Sequence, residues 1–199
     1  MTHHDEATGH EHGAGHDHGY RAALEDMRRE SAHYYADHFD WRGHGPPEGF
    51  AGPRFFPPAD EWRLEARIDT GAPGTGDEVT LPTSTGLLRK MTVAGDLVFE
   101  FGGREHRLGA YASKGEDEEG WLFVPFRDAT SGRETYGAGR YVDVPPEDGG
   151  IYDLDLNLAY NPSCAYSPAY DCPYPPPRNR LDIEVRAGEM VPFEHAHEQ

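Results

Sequence analysis

Lysine is almost missing from this chain: of 18 basic residues only Lys90 and Lys114 are lysines, and the others are arginines. Basic charge of either kind is scarce beside 36 acidic residues, which leaves a net charge of −18. Nucleic acid is bound through a basic face that displaces counterions, so this balance argues against nucleic acid as a partner. It argues equally against an anionic membrane surface. Long apolar runs are missing too. Nothing approaches the roughly 20 apolar residues of a membrane-spanning helix. The first 20 residues contain no apolar core of a signal peptide, so the expected location is the cytoplasm. Cysteine is limited to Cys164 and Cys172, and in a cytoplasm such a pair is more often free or metal-linked than disulfide-bonded. Familiar catalytic signatures are also absent: no Gly-x-x-x-x-Gly-Lys, no Gly-x-Ser-x-Gly and no His-Glu-x-x-His. Gly137-Ala-Gly139 is a fragment of a dinucleotide fingerprint, but it precedes a strand rather than a helix. No cofactor is supported by a motif.

The acid surplus has two readings. An acidic, Lys-poor surface suits a cytoplasm of concentrated salt, where screening relieves self-repulsion. Arg, Gly, Ala and Pro also rise together in a GC-rich genome. GC content does not account for the acids, so the halophilic reading is preferred. Apolar residues make up 36% of the 199, enough for one core. The expected organisation is a disordered His-rich tail over 1–19, a single mainly-β domain over 20–193 and a frayed tail over 194–199.

Leu24, Met27, Ala32, Tyr35 and Phe39 recur near helical spacing among charged residues, predicting an amphipathic helix over 20–38. Gly43 to Pro58 reads as a loop pinned by Phe50, Phe55 and Phe56. A train of short strands follows. Expected strands are Trp62–Ile68, Val79–Thr83, Leu87–Val93, Leu97–Phe101, Arg104–Tyr111, Trp121–Phe126, Arg140–Val144, Ile151–Leu156 and Leu181–Arg186. Gly102-Gly103 is a hairpin signal. About nine strands with turn signals every eight to twelve residues predict an antiparallel β-sandwich or barrel. Eight prolines between 145 and 177 make 157–180 a long, rigid, non-strand coil.

Chemistry-bearing residues concentrate in two blocks. The first leaves the 121–126 strand and returns into the 140–144 strand, carrying Arg127, Asp128, Thr130, Thr135, Tyr136 and Arg140. Two arginines with hydroxyls at a sheet end suit a carboxylate or phosphate, because the guanidinium offers a planar fork. On this reading the loop binds a small anionic molecule, either as a binding domain or as an enzyme. The competing reading is a brace, with the same side chains paired internally in a non-catalytic structural or interaction domain. The second block holds Tyr160, Asn161, Cys164 and Cys172 between prolines. Its asparagines suit turns. Tyr160 and Asn161 join the ligand-contact candidates.

The two cysteines lack Cys-x-x-Cys spacing. Structural thiols or a disulfide, worth roughly 2–3 kcal/mol for so short a loop, stand first. A metal site completed by His44 or His106, or a nucleophilic Cys, remain alternatives. The leading His tract, including His10, His12, His16 and His18, could take up a transition metal weakly, or be a solvated tail.

Several longer motifs resemble one family. Pro125-Phe-Arg-Asp-Ala-Thr-Ser-Gly-Arg-Glu-Thr-Tyr-Gly-Ala-Gly-Arg-Tyr141, Asn157-Leu-Ala-Tyr-Asn-Pro-Ser-Cys-Ala-Tyr166 and Cys172-Pro-Tyr-Pro-Pro-Pro-Arg-Asn-Arg-Leu181 are similar to the domain of unknown function 1684 family of bacteria and archaea. Phe55-Phe-Pro57 and Thr83-Ser-Thr-Gly86 extend the likeness upstream, over most of the chain from about residue 28. A haloarchaeal member is the expectation. The resemblance implies no activity. Family members usually carry Asp-Phe-Asn-Arg-Ala-Tyr-Asn and Pro-Pro-Pro-Glu-Asn, where this chain has Leu156, Leu158 and Arg178. Leu158 in place of arginine removes any charged role there.

Overall fold

A computed structural model of the chain describes residues 14–43, 45–112 and 120–193. Of the expected tail over 1–19, residues 1–13 with His10 and His12 lie outside the described residues, as do 194–199 and His44, while 14–19 are helical rather than disordered. The order is one helix, α1 (Ala14–Asp37), then β1 (Arg63–Asp69), β2 (Glu78–Pro82), β3 (Leu88–Phe101), β4 (Arg104–Ala112), β5 (Leu122–Phe126), β6 (Arg140–Val144) and β7 (Ile151–Asp155). The strands form one antiparallel sheet ordered β6-β5-β4-β3-β1-β7, with β2 paired to β3. The sheet curls into a half-barrel, so its edge strands β6 and β7 approach each other. Among the described residues no helix is long and apolar enough to cross a membrane.

Among the described residues seven strands replace the expected nine, for two physical reasons. Leu87–Val93 and Leu97–Phe101 are one strand, because the Ala94-Gly95-Asp96 break is a β-bulge rather than a turn. Gly95 has φ 145°, and a Cβ there would stand 2.8 Å from the Asp69 carbonyl oxygen. Only glycine allows β1 to come that close. Leu181–Arg186 is not a strand. Its alternation is real, since Leu181 and Val185 are buried while Asp182 and Arg186 are exposed. Its backbone reaches residues 127–129 of the β5–β6 loop through Leu181 N–H to Arg127 and Ala129 N–H to Ile183. The Val185 carbonyl turns instead to a side chain described below.

The hairpin between β3 and β4 turns at Gly102-Gly103, both with positive φ (59° and 73°), the geometry a two-residue turn between twisted strands needs. Directly opposed residues supply the core. Ala66 faces Phe99, Leu97 faces Leu108 and Val124 faces Val142, all buried. Each such Leu or Phe contributes roughly 1.5–3 kcal/mol by leaving water. Leu181, Val185 and Ala187 of the C-terminal segment join this cluster.

Helix α1 begins at Ala14 rather than Tyr20. Its docking face runs through Leu24, Arg28, Ala32 and Tyr35, so Met27 is 41% exposed rather than in the core. Arg28 takes the place expected for Met27: its Nη1 donates to the Phe56 carbonyl at 3.0 Å, and its guanidinium lies over the Phe55 ring. Tyr35, Phe39, Trp41 and Tyr166 then form a separate aromatic core with Phe50 and Phe193. That cluster ties the end of α1 to residues 157–180, which carry short 3-10 turns and isolated bridges to Thr83 and Tyr141.

Candidate functional site

The β5–β6 loop is built around Arg140, whose side chain is 1% exposed. The guanidinium pairs with Asp128 at 2.9 Å and donates to three successive alternate carbonyls of the C-terminal segment: Val185 at 2.8 Å, Ala187, and Glu189 at 3.0 Å. In an extended chain, carbonyls at i, i+2 and i+4 face one way. Here a side chain takes the place a neighbouring strand would occupy, which is why residues 181–189 make no ladder there. Burial pulls the Arg140 guanidinium below its usual pKa and Asp128 opposes that shift.

Asp128 is engaged on its other oxygen as well. Oδ1 accepts from the Thr130 N–H at 2.6 Å and from the Thr130 hydroxyl, which in turn meets Thr135 Oγ1 at 2.8 Å. Arg127 Nε donates to the Ala138 carbonyl at 3.2 Å. Asp128, Thr130, Thr135 and Arg140 are therefore brought together and hold one another, while Arg127 braces the loop backbone at Ala138. Asn161 belongs to the far side of the same buried knot. Its Nδ2 donates to the Met190 carbonyl at 2.7 Å, and its N–H donates to Glu189 Oε2 at 2.8 Å. The Tyr166 hydroxyl donates to that Glu189 oxygen at 2.7 Å. Burial outweighs these donors and Arg140, and pushes the Glu189 carboxyl up to about 7.

Two further asparagines act as artificial strand edges. Asn179 accepts from the Gly109 N–H at 2.8 Å and donates to the Gly109 carbonyl at 2.8 Å. Asn157 does the same for Ala59, at 2.9 Å each way. Arg178 lies across the Gly109 backbone, where any side chain would overlap it, and pairs with Asp96 at 2.9 Å. Leu158 is partly exposed while Leu156 is fully buried.

Tyr160 and Tyr136 stand apart from the knot. A cleft of about 530 Å³ opens between β3, β5, β6 and the segment from Tyr160 to Pro173. Met91, Phe123, Tyr141, Pro162 and Pro173 form apolar walls, and Arg89, Lys90, Tyr160 and Asp171 add polar groups. The Tyr141 hydroxyl donates to the Pro173 carbonyl at 2.5 Å and fixes the cover to β6. Tyr160 donates to Asp143 at 2.6 Å, with its ring edge-on to Tyr141 at 5.7 Å. Arg89 Nη2 donates to the Asp171 carbonyl at 3.1 Å, and its carboxylate lies at 3.5 Å. Lys90 pairs with Glu78 at 2.6 Å.

Cys172 also lines this cleft, and both cysteines are free thiols. Cys172 Sγ accepts from the Cys164 N–H at 3.3 Å. The Cys164 thiol falls below its usual pKa, chiefly through its interaction with the neighbouring Cys172, with Ser84 and Tyr136 acting in the same direction. The same contact, with burial, pushes the Cys172 thiol up. Tyr136, expected beside Arg140, thus belongs to the cysteines, where burial and the Cys164 sulfur raise its pKa. His106 belongs elsewhere, 5.6 Å from Phe99 and with Nε2 3.3 Å from the Phe101 carbonyl. Among the described residues no group of three or more His, Cys, Asp or Glu could hold a metal.

Sequence reasoning missed Arg89, Met91, Phe123, Tyr141 and Ser84. Most of them lie within the expected strands Leu87–Val93, Trp121–Phe126 and Arg140–Val144, where strand patterning singles out no site. The available signal was Arg89 followed directly by one of the chain's two lysines at a strand start.

The sequence model of the family described as "Protein of unknown function (DUF1684)" matches residues 48–190. Among solved structures, the solution NMR structure of an uncharacterized protein of Haloarcula marismortui is 34% identical, covering 90% of this chain and 98% of that one with a TM-score of 0.68. No curated protein matches.

Proposed function

The chain belongs to the DUF1684 family, and from that premise we propose that it binds a small anionic molecule in the cleft under the Tyr160–Pro173 cover rather than at the β5–β6 loop. One observation carries this reading: the described molecule holds a cleft of about 530 Å³ with aromatic and aliphatic walls and Arg89 and Lys90 among its lining. Ligand sites combine such walls with a few polar groups in volumes of roughly 300–1,000 Å³. The ligand has a flat apolar body, contacted by Met91, Phe123 and Tyr141. Its carboxylate or phosphate meets Arg89, whose exposed pairing with Asp171 is weak enough to exchange. Tyr160 orients it from the rim. This covers a binding domain and an enzyme alike.

The test is a thermal-shift screen of aromatic carboxylates and organic phosphates in molar KCl, with inorganic phosphate as the bare anion. Compounds that stabilise the wild type should lose most of their shift in Arg89→Ala and in Met91→Trp, which fills the cleft. A shift that both variants retain would remove the cleft from consideration. A second reading, a non-catalytic scaffold, is favoured by the closed network around Arg140, and a screen without any responding compound would support it.

A further inference from the structure

We propose that the turn between β2 and β3 is a self-association surface, on which Leu87 and Leu88 of two copies of this chain pack against each other about a twofold axis. The inference does not rest on the ligand reading. Leu87 and Leu88 are 62% and 68% exposed, more than any other large apolar side chain among the described residues. Single exposed leucines are ordinary, but an adjacent pair at one tip needs a reason. The surroundings of this pair are uncharged. Residues 79–88 and 156–170 hold no Asp, Glu, Lys or Arg, in a chain of which 27% is charged. The two stretches meet where the Ser84 hydroxyl donates to the Tyr170 carbonyl, and Pro168 and Ala169 add exposed apolar surface there.

The tip is held in one conformation. The Thr83 N–H donates to the Leu87 carbonyl at 2.9 Å and the Gly86 N–H to the Thr83 carbonyl at 3.0 Å, which closes the turn. Ser84 and Thr85 then fasten the turn to the Pro-rich cover. The Ser84 N–H donates to the Cys172 carbonyl at 2.9 Å, its hydroxyl to the Tyr170 carbonyl at 2.9 Å, and the Thr85 hydroxyl to Asp171 at 2.6 Å. These tethers order the tip before any partner arrives, and preorganised side chains lose little entropy on docking. The polar residues of the turn spend their groups on the cover, so the leucines are what the tip presents outward.

Charge selects the occupant. Directly behind the leucines stand Arg89 and Lys90, each matched by an acid of its own chain: Arg89 with Asp171 at 3.5 Å and Lys90 with Glu78 at 2.6 Å. This corner is balanced, while the chain as a whole carries −18. Anionic lipid or nucleic acid would need those cations unmatched. A basic partner would meet stronger attraction on faces rich in acid. A second copy is repelled by those same faces and accepted where charge is missing or balanced. A twofold contact of identical tips meets that condition and keeps the acids of the two chains apart. The tip and the adjoining edge of the cover make a small interface, so the dimer is weak, roughly micromolar or looser.

The experiment is sedimentation of the full chain, kept reduced with dithiothreitol, over a dilution series reaching about millimolar in dilute and in molar KCl. Expected is a monomer–dimer equilibrium whose dissociation constant falls about tenfold or more from dilute to molar KCl, because salt screens the repulsion between two chains of −18 each. Leu87→Ser combined with Leu88→Ser adds no charge and should raise the dissociation constant about tenfold or more in molar KCl. Its melting temperature, taken at a dilution where the wild type is monomeric, should match the wild type, since both side chains already face water. In the wild type, the amide resonances that move on dilution should centre on residues 84–88 and 168–170. A chain that stays monomeric at every concentration overturns the proposal. So does a dimer that the double variant retains, an association that loosens in KCl, or capture of the monomer by phosphatidylcholine vesicles that the double variant loses.

Discussion

Arg140 and Arg89 sit in neighbouring parts of this molecule and meet opposite surroundings. Arg140, on β6, is enclosed with Asp128 and three carbonyls of the C-terminal segment. Arg89, on β3, is about half exposed, with a peptide carbonyl and a loose carboxylate as its contacts on the edge of a cleft. The loop that carries the denser polar chemistry is closed, and the Pro-rich cover beside it borders the open space. The lesson is that a cluster of arginines, acids and hydroxyls reports a demand for hydrogen bonds, and buried backbone creates that demand as strongly as a ligand does. Residues 185–189 run outside the sheet ladder, and Arg140 answers for the carbonyls of Val185, Ala187 and Glu189.

The sharpest way to break this contrast is Arg140→Ala. It strands a buried Asp128 carboxylate and three buried carbonyls, and removing one partner of a buried pair costs roughly 3–5 kcal/mol. Urea denaturation should show that loss, and Arg140→Lys should recover only part of it, because one ammonium cannot reach four acceptors spread around a planar fork. Arg89→Ala should cost under about 1 kcal/mol, as exposed pairs do. If Arg140→Ala leaves stability intact and abolishes ligand binding, the two regions have been assigned the wrong way round.

A smaller effect tests the interior of the closed region. Glu189 lies against the Arg140 network, and burial holds its carboxyl up to about 7 against an ordinary 4.5. Below 4.5 the folded and unfolded chains both carry the proton. Between 4.5 and about 7 the unfolded chain has released it and the folded chain keeps it, so folding loses roughly 1 kcal/mol for each pH unit gained. Glu189→Gln keeps the acceptor for the Asn161 N–H and the Tyr166 hydroxyl but cannot ionise. The difference in stability between wild type and variant, measured from pH 4.5 to 7.5, should therefore shift against the wild type as pH rises. A constant difference means that the carboxylate is already ionised in the folded state, and that the region is less sealed than the comparison requires.

Much of this arrangement could be read before folding, and the misses have one cause. Helix α1, the Gly102-Gly103 hairpin and β6 at Arg140–Val144 follow from local pattern and turn chemistry. The period-2 alternation of Leu181–Arg186 was also correct about which side chains face inward. It says nothing about where the carbonyls point, so it could not show that a guanidinium would stand in for a strand. The cleft was less legible. Met91, Phe123 and Tyr141 lie on strands where apolar residues already satisfy the pattern, and only the packing of the cover against β3 and β6 decides that they border space. Cys164, Ser84 and Tyr136 come from three separate parts of the chain, and no spacing rule joins them.

Salt gives the finest test of the comparison, because it acts on exposed charge and leaves buried charge nearly alone. Exposed pairs such as Arg63–Asp153 and Lys90–Glu78 should each weaken in molar KCl. Screening of the −18 net charge works in the other direction and should win, because the acids outnumber the bases two to one, so melting temperature should rise from dilute to molar KCl. The cost of Arg140→Ala, measured at both ends of that series, should stay the same, since neither ion reaches Arg140 or Asp128 in the folded chain. A melting temperature independent of KCl would leave genome composition as the account of the arginine bias. A cost for Arg140→Ala that shrinks in salt would place that pair at the solvent edge and return the β5–β6 loop to the list of sites.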